Sequence, residues 1–366
     1  MKKLILCIFA FMLTGSLLFA QSNSSNVTQS GSQHKSIINQ NSGFGSGHTA
    51  ELSQQSGDLN FADVLQDQAN AEAYITQTGS ENESRTKQSG YNLMNVLQEG
   101  EFNVLGGYST LNARAYQKNG TGLWASDMNT LDLDQLGDYN EAGLWQEHHG
   151  EASVLQSGVR NEALVSQSGA TSGGLNEVAI AQHGSRNLAD AYQRGEGNKA
   201  NIQQGIGSYF SNDNTANVTQ TGDGNEAYAT LEWGGGTEVD INHNGDDNYS
   251  EFSVKYGSDN AFTADVGGSS NKTRFLIAPD WGSVNKISVK KLGNGNNIAG
   301  YISGHRNLVD VVQEGDFNNV GTSWNTGDGV NLKGVDNNVS VAQMSNSNTS
   351  FSSVTGHYNS ISVMQN

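Results

Sequence analysis

Three kinds of residue in this chain carry the chemistry for a site, and their spacing decides among them. Glu147, His148 and His149 stand side by side before Gly150 and have the groups to bind a metal or move a proton. In a predicted turn, however, they read as exposed turn residues. The runs Gly222-Asp223-Gly224-Asn225 and Gly245-Asp246-Asp247-Asn248 offer carboxylates to calcium. Calcium β-rolls repeat every ~9 residues, whereas the beat here is about 11, so no metal and no other cofactor is expected. The third kind is the side-chain amide. Asn161 and Gln167, Asn187 and Gln193, Asn198 and Gln204, and Asn214 and Gln220 all keep one separation. An amide donates and accepts hydrogen bonds at once, which suits it to building a ladder. No catalytic constellation accompanies these residues, and no enzyme is expected.

The elements that must position the amides follow from the same stretches. From Asn187 to Gln204 the chain obeys N-x-h-x-h-x-Q-x-G-x-x, with h small or aliphatic. Strict alternation from Asn187 to Gln193 is too long for a helical face and right for a half-buried strand. The glycines after the Gln positions, among them Gly158, Gly169, Gly184, Gly195 and Gly222, supply the positive φ of a tight reversal. Asn187, Ala189, Ala191 and Gln193 keep their types from unit to unit, while Leu188, Asp190 and Tyr192 vary. In stacked repeats the recurring positions are the ones that touch their copies, so the amides face inward. A buried amide without a partner costs a few kcal/mol. A parallel, in-register stack removes that cost, because identical amides ~4.8 Å apart donate to one neighbour and accept from the other. Two strands per layer, facing across a thin aliphatic core, place every second strand above its own kind. The expected fold is all-β, a flattened two-sheet β-solenoid of strand-turn-strand repeats. An antiparallel meander is the alternative, and it would set Asn opposite Gln.

The beat runs from Asn23 to the C-terminal Gln365, with about 30 units in about 15 layers. Interruptions fall at Phe44 to Gly47, Gly122 to Met128, Ala170 to Leu175 and Ile206 to Asp213. The pattern weakens after Asn103 and resumes over Leu111 to Gln117. Between Gln220 and Gln313 there is no glutamine. The chain therefore divides into 21–222 with Gln ladders, a degenerate Gln-free block over 223–306 with an apolar row in the Gln position, and 307–366, where the motif resumes.

The composition agrees with a repeat stack. Only 35 % of the 366 residues are hydrophobic, with 45 Gly and a single Pro, Pro279. That is too little for one large core, but a stack buries its surface layer by layer. Lys2 and Lys3, the apolar run Leu4 to Leu13 and Leu18-Phe19-Ala20 read as a signal peptide over 1–20, cleaved between Ala20 and Gln21. The only cysteine, Cys7, lies inside it, so the mature chain is expected to hold no thiol. A formal charge of -18 disfavours nucleic acid or anionic membrane as a partner, and no stable membrane insertion is expected after cleavage. Lys255, Lys272, Arg274, Lys286, Lys290 and Lys291 are spread over several strands and read as a solvated face. Trp124, Trp145, Tyr192 and Tyr228 read as exposed strand residues.

Asn161-Glu-Ala163-Leu-Val165-Ser-Gln167-Ser-Gly169 and Asn187-Leu-Ala189-Asp-Ala191-Tyr-Gln193-Arg-Gly195 resemble the repeats of the curlin family, the subunits of bacterial curli amyloid fibres. The resemblance covers most of residues 23 to 366. It implies a secreted, extracellular or cell-surface chain that self-assembles into fibres of the biofilm matrix, as a major or a minor, nucleating subunit. It also implies other curlin subunits and a curli-type secretion and chaperone system as partners. Physical reasoning points the same way, because an uncapped solenoid presents a row of backbone donors and acceptors that a further copy can extend. The rival reading is a monomeric solenoid that serves as a surface adhesin or ligand-binding rod. An ice-binding solenoid would need a flat face of regularly spaced Thr, which the sequence lacks.

Overall fold

The computed structural model describes residues 23–42, 47–68, 70–107, 114–119, 128–169, 174–205, 211–231, 235–254, 258–277, 284–321 and 329–366. Residues 1–20, read above as a signal, with Gln21, Trp124, Lys255, Pro279 and most of each interruption lie outside them. The described residues are all β, without a helix, and form a β-solenoid of about 13 turns in two sheets. At ~4.8 Å per turn the stack is roughly 60 Å long.

Alternation explains each strand. In Leu188–Arg194, Ala189, Ala191 and Gln193 are buried while Leu188, Asp190 and Tyr192 are half-buried on the outer face. The fold predicted from the repeats is the fold observed, and the antiparallel meander is excluded, because neighbouring rungs pair in parallel. Ala163, Val165 and Gln167 lie beside Ala189, Ala191 and Gln193. These in turn lie beside Ala216, Val218 and Gln220. Glu162–Ser168, Leu188–Arg194 and Thr215–Thr221 belong to one sheet; Asn176–Ser185 and Lys199–Gln203, which intervene in sequence, belong to the other. Small and aliphatic side chains such as Ala163, Val165, Val178 and Ile180 fill the space between the sheets.

The layer count falls short of the expected 15 because some stretches that look like separate units share one rung. Val104–Gly107 and Ala115–Lys118 both pair with Glu141–Glu147, so the weakened unit after Asn103 and its resumption near Gln117 are two halves of one rung. Asn319–Val320 and Val330–Val335 likewise both pair with Asn297–His305. The break named at Ile206 to Asp213 is of the same kind, since Lys199–Gln203 and Ser211–Asn212 both pair with Asn176–Ser185, so a rung can be interrupted and resume in register.

Where glutamine is absent, the two sheets behave differently. In the sheet of Asn176–Ser185, the Gln position is apolar from Leu231 through Val254, Ile277 and Ile302, and it stays apolar at Leu332 and Val354. In the opposite sheet the same position holds His243, Val266 and Lys291, and glutamine returns at Gln313, Gln343 and Gln365. The apolar row expected over 223–306 therefore belongs to one sheet and continues to the C-terminal rungs.

Candidate functional site

The amides named from the sequence lie in the core, and each of Asn161, Gln167, Asn187, Gln193, Asn198, Gln204, Asn214 and Gln220 is at most 1 % exposed. Gln167 Nε2 donates to Gln193 Oε1 at 3.0 Å, and Gln193 Nε2 donates to Gln220 Oε1 at 2.9 Å. The asparagine column runs in the opposite sense. Asn187 Nδ2 donates back to Asn161 Oδ1 at 3.1 Å, and Asn161 Nδ2 to Asn140 Oδ1 at 3.1 Å. Asn198 continues its own column, donating to Asn176 at 3.3 Å and accepting from Asn225 at 3.1 Å. The Asn214 backbone N–H donates to Asn187 Oδ1 at 3.2 Å.

Most of these amides also bond across the solenoid, a role the repeat spacing does not reveal. Gln193 Nε2 reaches the Glu177 carbonyl in the facing sheet at 3.0 Å, and Gln167 Nε2 reaches those of Glu151 and Asn176. Asn161 Nδ2 donates to the Gly184 carbonyl at 3.1 Å, and Asn198 Nδ2 to that of Gly222 at 2.8 Å. One side chain therefore ties its own layer to the next and its own sheet to the opposite one. Gln204 stands apart. Its Nε2 donates to the Leu188 carbonyl at 2.6 Å, its Oε1 is buried without a hydrogen-bond partner, and the following rung carries Leu231 in its place.

Four of the five turn glycines, Gly158, Gly184, Gly195 and Gly222, have φ between 111° and 126°. Gly195 shows a second constraint, because a Cβ there would sit 2.1 Å from the Gly222 carbonyl oxygen. Gly169 differs: its φ lies outside the left-handed region. Several residues separate it from Asn176, so the tight two-residue reversal made after Gly158 is not required there. Two residues after the other glycines a second left-handed residue precedes the Asn, with φ of 58° at Arg160 and 57° at Arg186. The Asp-rich turns form a further ladder that sequence reasoning missed. Asp223 Oδ1 accepts the Glu196 N–H at 2.9 Å and Asp246 Oδ1 accepts the Asp223 N–H at 3.0 Å. Its visible signal was the recurring Asx one residue after the turn glycine. Among the described residues no group of three or more His, Cys, Asp or Glu is placed to hold a metal ion.

His148 and His149 are half-buried in a turn, with φ of 55° and 49°. The cations read as one solvated face divide instead. Lys272 and Arg274 lie on one sheet, with Arg274 3.0 Å from Glu251, and Lys286 and Lys290 on the other. Lys291 is fully buried, contrary to that reading. Its register with Gln313 places it in the amide column, and alternation then turns it inward. Trp145 is 41 % exposed and packs on Tyr116 with ring centroids 4.6 Å apart; Tyr228 packs on Tyr249 at 5.8 Å, and Tyr192 is half-buried.

No curated protein matches the chain. Two stretches, 176–205 and 212–242, match the family model of the curlin associated repeat. They contain the asparagines and glutamines of both sheets from Asn176 to Gln220, and there the chain is similar to the curlin associated repeat.

Proposed function

We propose that this chain is a secreted structural subunit of extracellular curli-like fibres, major or nucleating, that supports a biofilm matrix and cell adhesion. The observation that carries the reading is the periodic amide column. Its bonds repeat along the stack axis, and the outermost described strands keep the register of the inner ones through their glutamine positions. Ser24–Ser32 aligns Gln29 with Gln54, and Ser360–Gln365 aligns Gln365 with Gln343. A further copy placed on such a strand gains backbone ladder bonds and column bonds of the kind already made within the chain. Head-to-tail contacts of this type do not close, and they yield filaments. The curlin associated repeat supports the same role, and the amide side chains contribute structure, not catalysis.

The test follows the purified full chain, without its signal segment, after dilution from denaturant. Amyloid-dye fluorescence is expected to rise after a lag, and fibre diffraction of the product to show a meridional reflection at ~4.7 Å. A soluble β-rich monomer that never binds dye would overturn the proposal in favour of a finite surface rod.

A further inference from the structure

Among the described residues, two ionisable side chains occupy the glutamine column, and the function proposed above does not use either. His243 and Lys291 are both 0 % exposed, two rungs apart, with Val266 between them. Lys291 Nζ donates to the Asn296 carbonyl at 3.2 Å and to that of Lys272. These carbonyls are equivalent to the two that Gln182 Nε2 takes from Glu162 and Asn187 elsewhere in the stack. The amine therefore makes the cross-sheet bonds of a glutamine but not its column bond, which in this sheet runs from the Nε2 of one rung to the Oε1 of the next. Gln313 Oε1, in the rung beside it, is buried without a partner. His243 Nε2 lies 2.8 Å from Ser250 Oγ, and its Nδ1 is likewise buried without a partner.

We propose that the rungs from Glu238–Asn244 to Lys286–Leu292 form an acid-labile seam in the stack, opening when protons charge the inward His243 and Lys291, while the glutamine-laddered rungs stay closed. No opposite charge in the packed strands faces either group inside the stack. The inward neighbours of His243 are Gln220 and Val266 in its own sheet, with Ser250 across. Those of Lys291 are Val266 and Gln313, with Thr273 and Ile298 across. The charged groups of the seam's own sheet, Glu238, Asp240, Asp265, Lys286 and Lys290, stand on its outer face, as do Asp310 and Glu314 of the next rung. Those of the facing strands, Glu226, Glu251, Lys272 and Arg274 with Tyr249 and Tyr301, stand on the opposite outer face.

The sign follows from burial. Burial, aided by the Lys291 charge, pushes the His243 imidazole down to about 3, below its ordinary 6.5. Burial also holds the Lys291 amine well below the usual lysine range. A base whose folded value is depressed binds protons more readily in the opened state. The His243 contribution to opening therefore grows as pH falls from 6.5 towards 3, about tenfold per pH unit. Lys291 adds to it at any pH between its ordinary value and its folded one.

Hydrogen-exchange protection factors of the full chain, measured at pH 7.5 and pH 4, test the seam. Protection in Glu238–Asn244, Ala261–Gly267 and Lys286–Leu292 is expected to drop by on the order of a hundredfold at pH 4, with Glu162–Ser168 and Leu188–Arg194 nearly unchanged. The double variant His243→Gln/Lys291→Gln restores the residue the column uses elsewhere and is expected to abolish the drop. Uniform loosening along the stack, or an undiminished seam response in the double variant, overturns the proposal. If the double variant does not fold, His243→Gln alone decides. It is expected to remove the His243 share of the response below pH 6.5, and an unchanged response overturns the proposal.

Discussion

At the scale of the residue, a buried amide is worth what its neighbours let it be. Gln193 accepts from Gln167, donates to Gln220 and donates across to Glu177, so its removal strands groups on three strands. Gln204 donates to one carbonyl and abuts Leu231, and its Oε1 is already unpaired. The same substitution should therefore cost different amounts at positions equally buried. Gln193→Leu is expected to destabilise by ~2 to 4 kcal/mol, because unpaired buried polar groups each cost about 1 to 3 kcal/mol. Gln204→Leu is expected to cost about 1 kcal/mol or less, since it trades one hydrogen bond for apolar contact with Leu231. Denaturant midpoints at equal slope compare the two, and equal losses would show that column bonds add nothing beyond burial. The inward direction of both glutamines was legible in the sequence, because alternation fixes it. Their different bonding was not, because it depends on what the adjacent rung supplies. Lys291 shows the same limit: it stands at the Gln position, yet its residue type reads as surface.

At the scale of the element, strands were legible and turns only partly so. Period-two alternation names the inward set of a regular strand, as in Leu188–Arg194. The turn contains two left-handed positions, of which glycine marks only the first. Arg160, Arg186, Asp247, Ser270 and Phe317 occupy the second with φ of 55° to 59°, so residue type carries no signal there. Gly195 and Gly197 separate the two roles within one turn. Gly195 has φ of 119° and no room for a Cβ beside the Gly222 carbonyl. Gly197 has φ of 66°, and a Cβ there would meet nothing closer than 3.9 Å. Gly195→Ala is expected to cost ~3 kcal/mol or more, combining backbone strain with a clash. Gly197→Asn should stay within about 1 kcal/mol, since Asn tolerates the left-handed region. Thermal or denaturant unfolding of the two variants provides the comparison, and a tolerant Gly195 would mean that the glycine column is not a packing requirement.

At the scale of the whole molecule, the arrangement that stacks amides on amides also stacks like charges on like charges. Glu141 lies beside Glu162 in register, and burial together with that neighbour raises the Glu141 carboxyl above its ordinary range. Asp134 is raised by burial and then by Asp132 and Glu99. With a formal charge of -18 over the chain, each copy that joined an end of the proposed fibre would bring its own negative field against another. The column bonds are short-ranged and act only after contact, whereas the charge acts during approach. Salt should therefore change the rate of assembly more than the stability of its product. Raising ionic strength from about 0.01 to 0.15 M shortens the screening length from ~30 to ~8 Å. Over that range the dye-detected lag is expected to shorten several-fold at fixed protein concentration and pH 7.5, while the denaturant midpoint of finished fibres moves little. An unchanged lag would place the barrier to assembly in folding of the stack, not in the approach of one charged rod to another.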